Sequence, residues 1–244
     1  MDGSGKKFGI STNVVQTILV IALIVAAYFI GNLSAKVQLL GGAKQGTTVP
    51  SDAAAPAADA EVPAITKDDH VRGDRNARYA LIEYSDLECP YCKTFHPTAQ
   101  QAIKEYGGKL QWVYRHFPLS FHANAQKEAE AAECANEVGG NDAFWKYIDA
   151  IYARTTANGT GFALDKLVPL AGELGLDQAA FKKCFDSGKY AAKITAEMNA
   201  GSAAGITGTP GNILLDTKTG TQRVVPGAVP YEQLKSAVDE LMKG

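Results

Sequence analysis

Residues 80–106 read ALIEYSDLECPYCKTFHPTAQQAIKEY, and the rest of the chain is best interpreted outward from this stretch. It begins with an apolar run typical of a strand, passes through Cys89-Pro90-Tyr91-Cys92 and continues as helix-forming sequence to Tyr106. Two cysteines at this spacing can hold a metal, form half of a zinc site or act as a redox-active dithiol. Their position where a strand gives way to a helix favours the dithiol, because the N–H groups and dipole of a helix N-terminus stabilise a thiolate.

The charge balance and the cysteine count exclude two other classes of protein. The chain has 24 Lys and Arg residues against 26 Asp and Glu residues, so no basic surplus is available to neutralise the phosphates of a nucleic acid. Only two of the four cysteines have the Cys-x-x-Cys spacing, and no second pair of ligands completes a zinc site. We therefore expect no nucleic-acid partner and no bound metal.

The N-terminal segment predicts the compartment. Residues 14–33 are mostly apolar and reach the roughly 20 residues that span a bilayer. A cleaved signal peptide is the alternative, but its apolar core is shorter, about 7–15 residues, and the best cleavage site here, at Leu33-Ser34-Ala35, is poor. We therefore expect a short tail over residues 1–13 and a single membrane anchor over residues 14–33. Lysines flank the anchor about equally, so its orientation must follow from the chemistry downstream.

The remaining chain divides into a linker and one domain. Residues 34–64 are rich in small and polar residues without apolar periodicity, which predicts a flexible linker. Residues 65–244 predict one domain of roughly 180 residues, enough to bury about 70% of its unfolded surface. Its pattern is a strand and a helix, a second strand parallel to the first, a helical block, a hairpin and a closing helix. The later segments are Leu110–Phe117, residues 122–203, Ile213–Asp216, Arg223–Val225 and Pro230–Met242.

This order resembles the thioredoxin fold, and more closely the DsbA-like thiol:disulfide oxidoreductases. The resemblance is carried by EYSDLECPYC at 83–92, by YRHFPL at 114–119 with the alanine-rich helix after it, and by GITGTP at 205–210. The expected fold class is α/β, a thioredoxin fold (βαβ and then ββα) with a helical insertion between the second and third core strands. An N-terminal transmembrane helix and a linker are expected to precede it.

The resemblance also implies roles for individual residues. Cys89 is expected to be the exposed sulfur that attacks and is attacked, and Cys92 its more buried partner. Thr209-Pro210 corresponds to a loop with a cis proline that faces the substrate, and Gly211 departs from the larger residue usual after it. Glu83 corresponds to a buried acid that exchanges protons with the inner thiol, and burial would raise its pKa. The alternatives are an inert pair for Cys89 and Cys92, an ordinary trans turn at Thr209-Pro210, and a solvent-facing strand residue for Glu83.

Tyr91 and the acids Asp86 and Glu88 are expected to set the direction of the reaction. Pro90 and Tyr91 separate the two cysteines, and the best-known oxidases of the family have histidine at the second position. Tyrosine supplies no cation, so we expect a Cys89 pKa between the ~3.5 of the strong oxidant and the ~7 of thioredoxin. Asp86 and Glu88 are expected to be solvated loop acids whose charge opposes thiolate formation.

Cys134 and Cys184 stand alone in helical sequence. In an exported domain two such cysteines are expected to form a structural disulfide, and two buried free thiols are the alternative. The bridge would close a loop of about 50 residues, worth on the order of 4 kcal/mol by loss of chain entropy.

Together these features predict a thiol:disulfide oxidoreductase at the inner membrane, with its catalytic domain on the extracytoplasmic or periplasmic side. The expected substrates are reduced exported polypeptides. The family resemblance implies reoxidation by a quinone-linked membrane protein, with no metal or organic cofactor in the chain itself. A disulfide reductase of the same fold remains open. A protein of a different class, a non-catalytic binding or copper-delivery module, also remains open.

Overall fold

The structure, a computed structural model, describes residues 62–244. The predicted tail, the anchor over residues 14–33 and the linker as far as residue 61 lie outside the described residues. Within the described part, no helix has both the length and the apolarity needed to cross a membrane.

Val62, Pro63 and Ala64, which the composition assigns to the linker, contact the folded domain. Val62 is buried in the core. Nη2 of Arg115 donates to the carbonyl oxygens of Pro63 (3.1 Å) and Ala64 (3.2 Å). The folded domain therefore includes residues that the composition assigns to the linker.

The described residues form a mixed α/β fold of thioredoxin type, as predicted. Its elements are β1 (His70–Gly73), β2 (Tyr79–Ser85), α1 (Pro90–Tyr106), β3 (Leu110–His116), α2 (Ala125–Arg154), α3 (Leu167–Glu173), α4 (Gln178–Ser187), α5 (Ala191–Ala203), β4 (Gly211–Asp216), β5 (Gln222–Pro226) and α6 (Tyr231–Lys243). Helices α2 to α5 form the insertion between β3 and β4. Strand β1 was not predicted.

The sheet has the order β1-β3-β2-β4-β5. Strand β2 pairs parallel with β3, as the crossover through α1 requires, and the other pairs are antiparallel. All seven residues of β2 are buried because helices cover both faces of the sheet, which explains its nearly continuous apolar sequence. Alternate side chains enter two cores: Leu81 lies in the larger one, and Ala80 and Ile82 in the smaller. Glu83 therefore points to the face of Leu81.

Helix α1 and the insertion enclose that face. Helix α1 buries Phe95 and Ala99 against the sheet and ends at Tyr106, before Gly107, whose positive φ of 53° favours glycine. Helix α2 is interrupted at Gly140, with φ 75°. A disulfide joins Cys134 of α2 to Cys184 of α4, with a Cα–Cα distance of 5.8 Å. The disulfide therefore ties two helices of the insertion to each other.

Candidate active site

Cys89 and Cys92 lie where β2 is followed by α1. Cys89 occupies the N-cap position and Pro90 the first helical position, where a missing N–H costs nothing. Both cysteines are free, so the structure is that of the dithiol form. Cys92 is fully buried and Cys89 is only 3% exposed. The expectation of an exposed Cys89 was wrong, because the loop at Thr209 covers its sulfur, with the Thr209 carbonyl oxygen 3.4 Å from Sγ.

The two thiols have opposite pKa shifts. Hydrogen bonding from the Cys92 thiol is the largest influence on the pKa of Cys89, which is lowered to about 6. Thr209 and the backbone N–H groups of Tyr91 and Cys92 act in the same direction, and burial opposes them. Burial raises the pKa of Cys92 well above its usual value. At neutral pH the pair therefore consists of an outer thiolate and an inner thiol, which suits thiol–disulfide exchange.

Tyr91 contributes to this site through its backbone rather than its ring. Its N–H group helps to lower the pKa of Cys89, whereas its side chain is 66% exposed. Phe121, in the loop after β3, is 74% exposed. Tyr91 therefore presents an aromatic surface beside the reactive sulfur.

The loop before β4 supplies polar groups to the same sulfur. The Thr209-Pro210 peptide bond is cis, and Pro210 is buried. The Thr209 Oγ1 atom is buried and has no other hydrogen-bond partner among the described residues. The residue after Pro210 is a glycine because a Cβ at Gly211 would lie 2.5 Å from Cγ2 of Ile206. The Thr209 hydroxyl is therefore available to donate a hydrogen bond to the Cys89 thiolate.

Replacing Thr209 by valine is expected to raise the pKa of Cys89 by about one unit. A hydrogen bond to a charged group is worth about 1.5–3 kcal/mol, and one pKa unit corresponds to about 1.4 kcal/mol. Titration of the thiolate ultraviolet absorbance in the reduced protein measures the shift. Thr207→Val, at an exposed position of the same loop, is the matched control and should leave the titration unchanged. Equal titration of the Thr209→Val variant and the unmodified protein would show that the hydroxyl does not reach the thiolate.

Glu83 lies in the middle of the central strand and is fully buried. Burial raises its pKa to about 7, although two hydrogen bonds work in the opposite direction. These come from Ser85 Oγ to Oε1 (2.6 Å) and from Trp112 Nε1 to Oε2 (2.9 Å). A carboxyl group that titrates near neutral pH can both give and accept a proton, so the position has the chemistry expected of the internal acid.

The polar partners of Glu83 were not predicted. Ser85 follows Glu83 by two residues on β2, and so shares its face of the sheet. Trp112 and Tyr114 have the same spacing on β3, where Tyr114 is paired with Glu83. The period of two could therefore have identified all three. Tyr152, which contacts Ser85 from α2, has no such local signal.

Asp86 is buried rather than solvated, so the expectation for this acid was wrong. Its carboxylate accepts hydrogen bonds from the N–H groups of Glu88 (2.7 Å) and Leu119 (2.8 Å), and Nδ1 of His122 lies 2.8 Å away. Burial nevertheless raises its pKa. The side chain joins the turn before Cys89 to the loop after β3.

Glu88 is also buried, because its carboxylate holds a second loop. It accepts hydrogen bonds from the N–H groups of Gly161 (2.6 Å) and Phe162 (2.8 Å) and from the hydroxyl of Thr155 (3.2 Å). Burial works to raise its pKa, but the Glu128 carboxyl and these donors outweigh it, and the pKa is lowered. Burial raises the pKa of Glu128 to about 10, with the neighbouring Glu88 carboxylate adding to the shift. Both Glu128 carboxyl oxygens are buried without a hydrogen-bond partner among the described residues, and the raised pKa keeps Glu128 a neutral carboxylic acid near the Glu88 carboxylate.

A cluster of residues of metal-binding type lies elsewhere in the described part of the chain. Potential ligand atoms of His70, His116 and Glu133 are all within 4.8 Å of one another. The Lys193 ammonium lies 2.7 Å from Glu133 Oε1 and 3.2 Å from His70 Nε2. The cluster therefore already contains a cation that balances Glu133, and it connects α2 and α5 to the sheet.

Comparison with known proteins agrees with the fold described above. A family model described as thioredoxin matches residues 65–240. DsbA2 of Pseudomonas aeruginosa is a similar solved structure, with 33% sequence identity and a TM-score of 0.63 over 73% of this chain and 97% of that chain. A thioredoxin-like oxidoreductase from Silicibacter pomeroyi is 25% identical, with a TM-score of 0.60 over 73% of this chain and 95% of that one.

A curated relative is named as an ion antiporter rather than as a thiol:disulfide oxidoreductase. The Na(+)/H(+) antiporter NhaA 3 of Salinispora tropica is 35% identical over 158 residues, which is 62% of this chain and 22% of the antiporter. The chain thus spans about a fifth of the length of this antiporter and of a second one, from Salinispora arenicola. Similarity over this fraction gives no support for ion transport by this chain.

Proposed function

This chain belongs to the thioredoxin family and has a DsbA-like fold, and on that premise we propose that it introduces disulfides into exported polypeptides through Cys89 and Cys92. A substrate thiolate attacks Sγ of Cys89 in the Cys89–Cys92 disulfide, and Cys92 leaves. A second substrate thiolate then attacks the mixed disulfide, so that the substrate leaves oxidised and the protein becomes the dithiol.

The observation that carries the proposal is the opposite shift of the two thiol pKa values. Stabilising the Cys89 thiolate stabilises the reduced protein, and a protein whose reduced form is stabilised is the better oxidant. The Cys89 pKa of about 6 lies between the ~7 of thioredoxin and the ~3.5 of DsbA. The shift therefore supports oxidation over reduction, though less strongly than in the best-known oxidases.

We further propose that the domain acts on the extracytoplasmic side of the inner membrane, held there by residues 14–33. The support is the apolar length of that segment and the use of the other two cysteines as a disulfide, which is typical of oxidising compartments. A tether would raise the effective concentration of the dithiol near a membrane-bound reoxidant. We propose a quinone-linked membrane protein in that role.

The decisive measurement is the reduction potential of the Cys89–Cys92 pair, together with oxidation of a peptide that contains two thiols. We expect a potential above about −180 mV and stoichiometric oxidation of the peptide by the oxidised protein. A potential near the −270 mV of thioredoxin would contradict the oxidase and favour the reductase. Stoichiometric Cu(I) binding that needs both cysteines, without peptide turnover, would establish a copper-delivery module instead.

A further inference from the structure

A chain of buried hydroxyl groups ends on Glu83. The Ser85 hydroxyl donates to Glu83 Oε1 at 2.6 Å and lies 2.9 Å from the Tyr152 hydroxyl. The Tyr152 hydroxyl in turn lies 3.1 Å from that of Tyr114. All four side chains are at most 3% exposed, so water does not compete for these bonds. Trp112 Nε1 donates to the other carboxyl oxygen at 2.9 Å, so each oxygen of Glu83 faces a donor.

The direction of the hydrogen bonds along this chain follows from its last member. Because the Ser85 hydrogen is directed to Glu83, the Ser85 oxygen can only accept a further hydrogen bond. Two hydroxyl oxygens repel each other unless a hydrogen lies between them, so Tyr152 donates to Ser85 and Tyr114 donates to Tyr152. The Asp86 carbonyl oxygen is farther from the Tyr152 hydroxyl, at 3.3 Å. When Glu83 is ionised, every hydroxyl of the chain therefore donates toward it.

The helical insertion supplies the central member of the chain. Glu83 and Ser85 lie on β2 and Tyr114 lies on β3, whereas Tyr152 comes from α2. Its ring packs on that of His96 from α1, with the ring centroids 4.6 Å apart, so the hydroxyl is held in place. The core strands carry the acid and its nearest donor, and the insertion carries the group that orients this donor.

From this arrangement we propose that Tyr152 is a positioning residue for Glu83, whose relevance to disulfide exchange rests on the proposed function. The Tyr152 hydroxyl holds Ser85 as a donor to the acid and thereby stabilises the carboxylate. Burial favours the neutral carboxylic acid, and the donors oppose that preference. Hydrogen bonds in a chain polarise one another, so donation from Tyr152 strengthens the bond from Ser85 to Glu83. The insertion thus keeps both forms of the acid accessible near neutral pH.

The other groups that face Glu83 keep their charge near pH 7 in the oxidised protein. The two active-site cysteines of α1 form a disulfide there and do not titrate. Burial raises the pKa values of Tyr114 and Tyr152 well above their usual range, so both stay protonated. Burial lowers the pKa of His96, which is neutral at pH 7. Asn212, opposite Glu83 on β4, has no titratable group. A titration of this site near pH 7 therefore reports on Glu83.

The experiment follows the side-chain carboxyl carbon of Glu83 by NMR during a pH titration of the oxidised full chain with isotope-labelled glutamate. The Glu83→Gln variant assigns the signal. The unmodified protein should titrate with a midpoint of about 7. Ser85→Ala should raise the midpoint to about 8 or above, the effect of one lost hydrogen bond to a charged group. Tyr152→Phe should raise it by about a third as much, because the Ser85 bond loses its cooperative strengthening.

Three further variants separate positioning from loss of packing. Tyr147→Phe is the matched control, because Tyr147 is a buried tyrosine of the same helix whose hydroxyl donates to the Leu167 carbonyl oxygen at 2.8 Å. It should leave the Glu83 titration unchanged. Ser85→Thr keeps the hydroxyl and should return the midpoint close to that of the unmodified protein. Adding Tyr152→Phe to Ser85→Ala should cause no further increase, because the tyrosine acts through the serine.

An unchanged Glu83 midpoint in folded Tyr152→Phe would overturn the proposal. An equal increase in Tyr147→Phe would also overturn it, because the cause would then be a general loosening of α2. The titration needs no substrate, so its outcome is independent of the proposed function. If the expected midpoints are found but the oxidised protein does not oxidise a peptide with two thiols, the proposed function fails and the positioning role of Tyr152 stands.

Discussion

Replacing Cys92 by alanine is expected to arrest the protein as a stable mixed disulfide, whereas replacing Cys89 by alanine should prevent that species from forming. Losing the Cys92 thiol removes the largest influence that lowers the Cys89 pKa, but Thr209 and the backbone N–H groups at positions 91 and 92 still lower it, so part of Cys89 remains thiolate at pH 7 and can attack a peptide disulfide. The buried Cys92, whose pKa is raised well above its usual value, is almost entirely protonated. Trapping should therefore be at least about 100-fold slower in Cys89→Ala than in Cys92→Ala.

Mass spectrometry of the two variants after exposure to a disulfide-bonded peptide measures the trapped fraction directly. The double variant Cys134→Ala/Cys184→Ala is the control, because it removes the other cysteine pair, in which neither cysteine is at a helix N-terminus. Its peptide turnover should match that of the unmodified protein when both are folded. Equal trapping by Cys89→Ala and Cys92→Ala would contradict the assignment of the outer sulfur as the nucleophile.

The fold could be predicted from sequence because its central elements are locally encoded. The apolar run of β2, the helix that follows Cys89 and the hairpin near the C-terminus have the periods of strands and helices. Strand β1 has only four residues, His70-Val71-Arg72-Gly73, without a clear alternation. It forms by pairing with the free edge of β3, and a sequence pattern cannot show which edge is free.

The active-site residues likewise divide into those that a short motif predicts and those whose environment depends on distant parts of the chain. Cys89, Cys92 and Pro210 belong to short motifs, so their placement could be anticipated. The burial of Asp86 and Glu88 depends on N–H groups of Leu119, Gly161 and Phe162, contributed by loops more than 30 residues away. An acid in a polar sequence is normally solvated, and only the assembled loops supply enough donors to reverse that expectation. The partnership of Glu88 with Glu128 was hidden for the same reason.

Replacing Glu128 by glutamine is expected to stabilise the folded protein, and to do so increasingly as the pH rises. The folded-state pKa of Glu128 is about 10, raised first by burial and then by the Glu88 and Asp86 carboxylates, against an ordinary value of 4.5. A raised carboxyl pKa means that the folded state binds more protons than the unfolded state between these values, so stability is lost as the pH increases. The loss is about 1.4 kcal/mol per pH unit, or about 4 kcal/mol between pH 5.5 and 8.5. Glutamine resembles the neutral carboxylic acid in shape and has no proton to lose, so the variant escapes this loss.

Urea unfolding of both proteins at pH 5.5 and 8.5 measures the difference, since the other titrating groups contribute equally to each and cancel. Glu88→Gln is the informative counterpart, because it places an amide N–H group against the N–H donors of Gly161 and Phe162. Glu88→Gln should therefore destabilise the protein by about 1–3 kcal/mol at pH 7, the cost of buried donors without an acceptor. If Glu128 is the protonated acid and Glu88 the carboxylate, Glu128→Gln must stabilise the folded protein and Glu88→Gln must destabilise it. A Glu128→Gln effect that is the same at both pH values would show that Glu128 is already ionised in the folded protein.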